Sequence, residues 1–537
     1  MYVRTKQGGT RHSPHSYLQI VEGYRQNGRV KQRVVANLGR LDELVSGGDL
    51  DGLITSLARF SKRLKILDLT RDPDVTQCAD KLWGPILVFR RLWDEQGLPQ
   101  IIRQLAAGSQ FRFDLERICF ALAVQRLIQP GSDLAGERWM QSVAGLEGIP
   151  RHQLYRTCRF LAGNKARIEQ ELAARKRTLF DDEAVDLVFF DTTSTYFEGG
   201  ESPLRRYGHS KDHRPDRVQI VVGVIMSRAG WPLACEVYRG NQADVKLVEP
   251  LIKLARERLN LGRVILVLDR GFTSRGNLAA IVKSGLDYIV GARLRRDKVI
   301  RAEVLTDTGP YQDVNENLKV KEVKVTGKRY IVCLNPEEAI RDEADRVKML
   351  AELKERLDQR RGKSLVGNRG YARYLQVKPD GMELNAAAAE REKQFDGIYV
   401  LETNTALGTV EAAQAYKNLW QVEQAFRDLK SPLELRPIFH RSDANVIGHV
   451  FGAFLGLRLK IALQQRVGKA GLKLPWNQVL TDLSSLKAVH IRLDGTDYTV
   501  RTDLQGDCYK ILQAVGVKPP PRIKSENQDP MLCHDHT

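Results

Sequence analysis

Gly262-Arg263-Val264-Ile265-Leu266-Val267-Leu268-Asp269-Arg270-Gly271-Phe272 is the stretch that decides the fold. Its unbroken apolar run ends in one acid and then Gly, the pattern of a buried strand that delivers a carboxylate to a sheet edge. A second stretch, Val185-Asp186-Leu187-Val188-Phe189-Phe190-Asp191-Thr192-Thr193, has the same form, interrupted near its start by Asp186. Either Asp alone reads as a cap for a following helix. Two together point to adjacent carboxylates, which repel one another unless a cation lies between them.

Working outward, the loop 205–217 is polar, basic and spotted with aromatics. Phosphate-contacting loops and plain solvated loops both have that character. Strands are predicted over 219–226 and 232–237 around Arg228-Ala229-Gly230, then an amphipathic helix over 244–259 and the strand ending at Asp269. A short helix over 277–283 and a buried strand over 287–292 follow. The fold class is α/β, a mixed sheet whose first and fourth strands lie adjacent, bringing Asp191 and Asp269 side by side. Residues 293–394 change character: alternating strands surround Thr326-Gly327-Lys328, and a charged helix spans 336–361. The buried-strand signature resumes at Phe395-Asp396-Gly397-Ile398-Tyr399-Val400-Leu401, so the block between reads as an insertion.

The chain has 537 residues, enough for several domains. Lys and Arg number 84 against 66 Asp and Glu, a net charge of +18, which points to a polyanionic partner. No apolar run of membrane-spanning length is free of charge: the nearest, 446–463, carries His449, Arg458 and Lys460. No apolar signal segment opens the chain, so a membrane or secreted location is not expected. Seven scattered Cys without a C-x-x-C pair indicate a reducing compartment and no structural zinc framework. The tail Cys533-His534-Asp535-His536 reads as a frayed end with metal-binding residue types.

Residues 1–40 hold eight basic side chains against one acid, Glu22. Segments 17–24 and 29–38 flank Asn27-Gly28, a hairpin signal, and a basic hairpin either follows a phosphate backbone or simply starts the fold. Residues 74–177 are helical in pattern. They include a core helix over 115–124 and two amphipathic helices, 152–161 and 165–176, joined by Gly163-Asn164. This region offers either a DNA-binding face or plain packing. Residues 409–430 are predicted helical throughout. Leu419, Val422, Phe426 and Leu429 form a core-facing stripe, and Tyr416, Glu423 and Lys430 share another face. With Arg427 one turn from Glu423, that second face also fits an ordinary surface charge pattern.

Taken as a set, two strand-borne Asp, a β-rich insertion and a helical Glu resemble the DDE transposases of bacterial insertion sequences. The helix frame is Tyr416-Lys417-Asn418-Leu419-Trp420-Gln421-Val422-Glu423, then six residues to Lys430. It is similar to a subgroup reading Tyr, two residues, Arg, three residues, Glu, six residues, Lys, with Leu419 standing where that pattern has Arg. Asp269-Arg270-Gly271-Phe272, Gly240-Asn241 with Asp244, and residues 208–216 also resemble this group. The resemblance implies an RNase H-like core interrupted by the insertion. The expected divisions are a basic hairpin arm (1–70), a helical region (71–180), the core in two parts (181–294 and 395–470), the β-rich insertion (295–394) and a C-terminal region (471–537). It also implies metal-dependent strand cleavage and strand transfer on double-stranded DNA at terminal inverted repeats. Asp191, Asp269 and Glu423 are the implied catalytic acids and ligands of two Mg²⁺, with Mn²⁺ able to substitute.

Tyr416 and Lys430 are the implied phosphate contacts, and Arg427, Lys211, Arg214 and Arg270 are expected to join them on DNA. A homodimer pairing the two ends and a cytoplasmic, nucleoid-associated location complete the expectation. Some relatives pass through a DNA hairpin and hold a flipped base on an aromatic of the insertion. This insertion offers Tyr311, Tyr330, Tyr371 and Tyr374 but no Trp. The competing readings are a metal-dependent nuclease of the same fold and a non-catalytic DNA-binding protein derived from a transposase.

Overall fold

The computed structural model describes all residues except 11–12, 27–28, 62–75, 181–184, 198, 260, 262, 359–368, 379–380, 432, 437, 494–495 and 526–537. The chain divides into two units. Met1–Gln77 and Ile491–Tyr498 belong to the first. In it, Tyr2–Thr10, Ser13–Gln26 and Arg29–Arg40 form a three-stranded antiparallel sheet in chain order. The hairpin reading holds in the pairing of the last two strands, which reaches Gln26 opposite Arg29; the Asn27-Gly28 turn itself lies outside the described residues. The sheet is longer than expected and gains a third strand. Arg4 ties the two outer strands together by donating from Nη1 to Gln32 Oε1 at 2.8 Å.

Cys78–His490 and Thr499–Gln528 belong to the second unit, built on a nine-stranded mixed sheet. Across it run Gln312–Asn315, Leu318–Val325, Lys328–Leu334, Ile398–Thr403, Asp287–Gly291, Arg263–Leu268, Val185–Tyr196, Gln219–Ser227 and Pro232–Arg239. Only the central pairings, of Arg263–Leu268 with Asp287–Gly291 and with Val185–Tyr196, are parallel. The expected neighbours are therefore neighbours, because the antiparallel hairpin 219–239 occupies the other side of the Asp191 strand. Strands from the β-rich block extend this same sheet: Ile398–Thr403 pairs with both Lys328–Leu334 and Asp287–Gly291. Thr326 and Gly327 turn the 318–334 hairpin with positive φ of 47° and 75°.

Several boundaries differ from the sequence reading, each because packing overrides a local signal. The Asp191 strand runs on to Tyr196 instead of ending at the acid, since Thr192 to Thr195 keep pairing with 220–223. Residues 409–430 are two helices, Thr409–Lys417 and Trp420–Lys430, broken at Asn418-Leu419 where the backbone tightens to three-residue bonds. Tyr416 therefore stands before the break, while Glu423 and Lys430 follow it. Arg151–Phe180 is one helix through Gly163-Asn164. A mid-helix Gly costs about 1 kcal/mol relative to Ala, which the burial of Leu154, Leu161, Ile168 and Leu172 outweighs. The helical region opens with a strand, Thr76–Leu82, ahead of Gly84–Glu95, Leu98–Ala106 and Leu115–Ile128. The apolar segment near 446–463 is part of Asp443–Lys469, long and apolar enough to cross a membrane by length and composition. It is instead the buried core helix of the unit, packed on Leu115–Ile128 and Arg151–Phe180.

Candidate active site

The parallel register sets the geometry. Phe190 and Leu268 form the last parallel pair, so the next residues of the two chain segments, Asp191 and Asp269, stand level with one another. Neither acid caps a helix. Asp191 sits mid-strand opposite Val224, and Asp269 precedes the single turn Arg270–Phe272 without a capping bond. Phe189, Phe190, Val267 and Leu268 beneath them are buried, which fixes both strands rigidly.

A third carboxylate joins them that the sequence reading mentioned but gave no role. Asp244 begins the turn Asp244–Leu247 and accepts from the Thr192 hydroxyl at 2.7 Å. Lys211 lies among the acids, 3.9 Å from Asp191 Oδ1 and 3.5 Å from Asp244 Oδ2. Its Nζ also donates to the Thr192 carbonyl and hydroxyl, both at 2.8 Å. Burial pushes the Asp191 carboxyl up to about 6; Lys211 and the Thr192 N–H oppose this, and the charges of Asp269 and Asp244 add to it. Gly240-Asn241 with Asp244 was the available signal for the third acid, but its convergence with strand ends is a tertiary fact.

Tyr416 donates from its hydroxyl to Asp269 Oδ1 at 3.2 Å, and burial beside that carboxylate raises its pKa. Gly291 makes room for it: a Cβ there would come within 2.5 Å of the hydroxyl. Glu423 is exposed on Trp420–Lys430, a helix packed against the Asp191 strand and its 219–227 neighbour. Among the described residues no contact joins Glu423 to Asp191 or Asp269. The stripe Leu419, Val422, Phe426 and Leu429 is buried as expected, and Leu419 itself is core.

Beyond the acids lies a basic cluster. Lys430 and Arg436 hold Asp212 at 2.7 and 2.9 Å. Arg436 and Arg214 each lie over the Tyr196 ring, at 5.3 and 5.1 Å from its centroid, and Arg214 also pairs with Asp216 at 2.9 Å. Arg427 and Arg270 are exposed. Strand ends thus present carboxylates at one place and a guanidinium–ammonium cluster nearby, an arrangement suited to phosphodiester chemistry.

Residues 3–72 match the family described as IS1634 family transposase, N-terminal domain. Residues 184–459, just over half the chain, match the transposase DDE domain, whose members generally use divalent metal ions. No curated protein matches the chain. A solved piggyBac transposase synaptic complex with hairpin DNA is similar at 12% identity over 75% of this chain and 79% of that chain, with a TM-score of 0.37. The chain belongs to the DDE transposases of insertion sequences: it is a DNA-binding enzyme that cleaves DNA and transfers strands.

Proposed function

We propose that Asp191, Asp269 and Glu423 are the catalytic acids, carried on an RNase H-like core formed by the strands from Pro232–Arg239 to Asp287–Gly291. The observation that carries this reading is the level position of Asp191 and Asp269 just past the last parallel pair of their strands, where burial raises the Asp191 pKa to about 6. The donor set fits a hard divalent cation: oxygen ligands, crowded negative charge and no sulfur. Asp191, Asp269 and Glu423 would hold two Mg²⁺, with Mn²⁺ as a substitute. Bound there, the ions would neutralise charge at the phosphorus and lower the pKa of an attacking oxygen.

The chain's own residues prepare the site. The Thr192 N–H, 2.7 Å from Asp191 Oδ1, orients that carboxylate. The Tyr416 hydroxyl does the same for Asp269. Lys211, which lies between Asp191 and Asp244, would contact a phosphate oxygen if a cation took its place at the acids. Lys430, Arg427, Arg214 and Arg270 supply further phosphate contacts. Both chemical steps are in-line displacements, by water and then by a 3′-hydroxyl, so no covalent protein–DNA link is needed. The substrate is double-stranded DNA at the element's inverted repeats, paired by a homodimer in the bacterial cytoplasm at the nucleoid.

The test is a plasmid carrying the element's own ends, incubated with Mg²⁺ or with EDTA, beside Glu423→Gln. Metal-dependent cuts at both ends with joined products, absent from the variant, are expected. Cuts without joining would identify a nuclease, and unimpaired cutting by Glu423→Gln would remove that residue from the centre.

A further inference from the structure

We propose that Asp133, Cys158 and His440 form a zinc site, separate from the Asp191 and Asp269 carboxylates. Cys158 lies within the long helix Arg151–Phe180, Asp133 begins the helix Asp133–Met140, and His440 lies just before Asp443–Lys469. One ligand atom from each lies within 4.8 Å of the others, and all three residues are buried. The helices meet closely here: a Cβ at Gly448 would fall 2.0 Å from the Cys158 carbonyl oxygen, so only Gly permits the approach.

Two observations point to an ion rather than a hydrogen-bonded cluster. His440 Nε2 and Asp133 Oδ2 are 3.7 Å apart, too far for a hydrogen bond. Two ligands at about 2.0 Å from one tetrahedral ion stand about 3.3 Å apart, close to the spacing seen. Asp133 Oδ2 is also buried without a hydrogen-bond partner, a costly state that a metal bond would relieve. Its other oxygen faces the buried Arg126 guanidinium at 3.9 Å, so the carboxylate presents one oxygen to each cation. The rings of Tyr155 and His449 meet His440 edge-on at 5.6 and 5.2 Å and hold its orientation. His449 itself is turned to the Leu435 carbonyl at 3.2 Å and is not a ligand.

A thiolate, an imidazole and a carboxylate select zinc over magnesium. Binding releases the Cys158 thiol proton to solvent, and the ion fastens three separated parts of the chain together.

Cobalt reports the site, because it adopts zinc's ligands and gives a thiolate charge-transfer band. Full-length protein stripped with chelator and titrated with Co²⁺ is expected to gain that band at about one equivalent, with zinc displacing it. The catalytic carboxylates carry no sulfur and cannot produce the band. Cys158→Ser is expected to lose it, whereas Cys533→Ser, in the Cys- and His-containing tail, keeps it. His440→Gln is expected to shift or weaken the band, and provides the comparison should Cys158→Ser fail to fold. Zinc is also expected to raise the melting temperature of the wild type but not of His440→Gln. No band in the wild type, or an unchanged band in Cys158→Ser or His440→Gln, would overturn the proposal.

Discussion

Lys211 and Asp212 are adjacent in sequence and inverted in surroundings. Lys211 is a cation among the carboxylates of Asp191 and Asp244, and Asp212 is a carboxylate between Lys430 and Arg436. Each region is thus neutralised by one side chain of the sign its ligand would bring: a metal ion at the acids, a phosphate at the bases. The difference lies in what the displaced group leaves behind. Moving Lys211 aside leaves carboxylates that must be filled by an ion, whereas displacing Asp212 leaves two cations free to meet DNA.

The largest expected effect tests the acidic half. Asp191→Ala, Asp269→Ala and Glu423→Gln should each lower end cleavage by about 10³-fold or more, the scale of losing a charge-stabilising group, while DNA binding is kept. A retained rate in any one of them would break the symmetry of the three.

A second prediction concerns protons. Because the folded-state pKa of Asp191 is raised to about 6, the folded protein holds this proton more tightly than the unfolded chain does. Stability contributed by that proton is present at low pH, falls as pH rises from about 4 to about 6, and is absent above. Asp191→Asn should therefore be more stable than the wild type above pH 6 in EDTA, by about 3 kcal/mol at most, with the gap closing below about pH 4. Denaturant melts at the two pH values decide it; an equal gap at both would mean that burial does not raise the Asp191 carboxyl.

The basic half gives a smaller effect. Asp212→Asn should tighten DNA binding about tenfold at low salt and steepen its salt dependence by about one ion. Weaker binding with an unchanged slope would show Lys430 and Arg436 to be structural. Smallest of all, Gly291→Ala should push the Tyr416 hydroxyl away from Asp269 and slow cleavage only a few-fold, as single-turnover kinetics would report.

Much of this was legible in the residues. The apolar run to Asp269 and its adjacent partner strand through Phe190 read correctly, because buried parallel strands need continuous hydrophobicity, although that partner does not end at Asp191. The buried stripe after Leu419 followed from helical periodicity. Other features lay beyond local pattern. Thr192 to Thr195 look like the start of a loop yet continue a strand, since their partners are supplied by the 219–227 hairpin arm. The break at Asn418-Leu419 carries neither Gly nor Pro. Asp244 joins the acids only because a turn far along the chain folds back beside Thr192. The Asp133, Cys158 and His440 cluster draws on residues more than three hundred positions apart at its extremes, with none of the short spacings by which metal sites announce themselves.

The level pairing of Phe190 with Leu268 makes the two strands behave like a keyed lock. Side chains alternate faces with a period of two, so deleting one residue from either strand would turn its acid to the opposite side of the sheet. Substitutions of one buried aliphatic for another would leave the key intact. Among decaying copies of such an element, short length changes within 185–191 or 264–269 would therefore silence the protein outright, whereas equal changes in the polar stretch 199–217 would leave these two acids aligned.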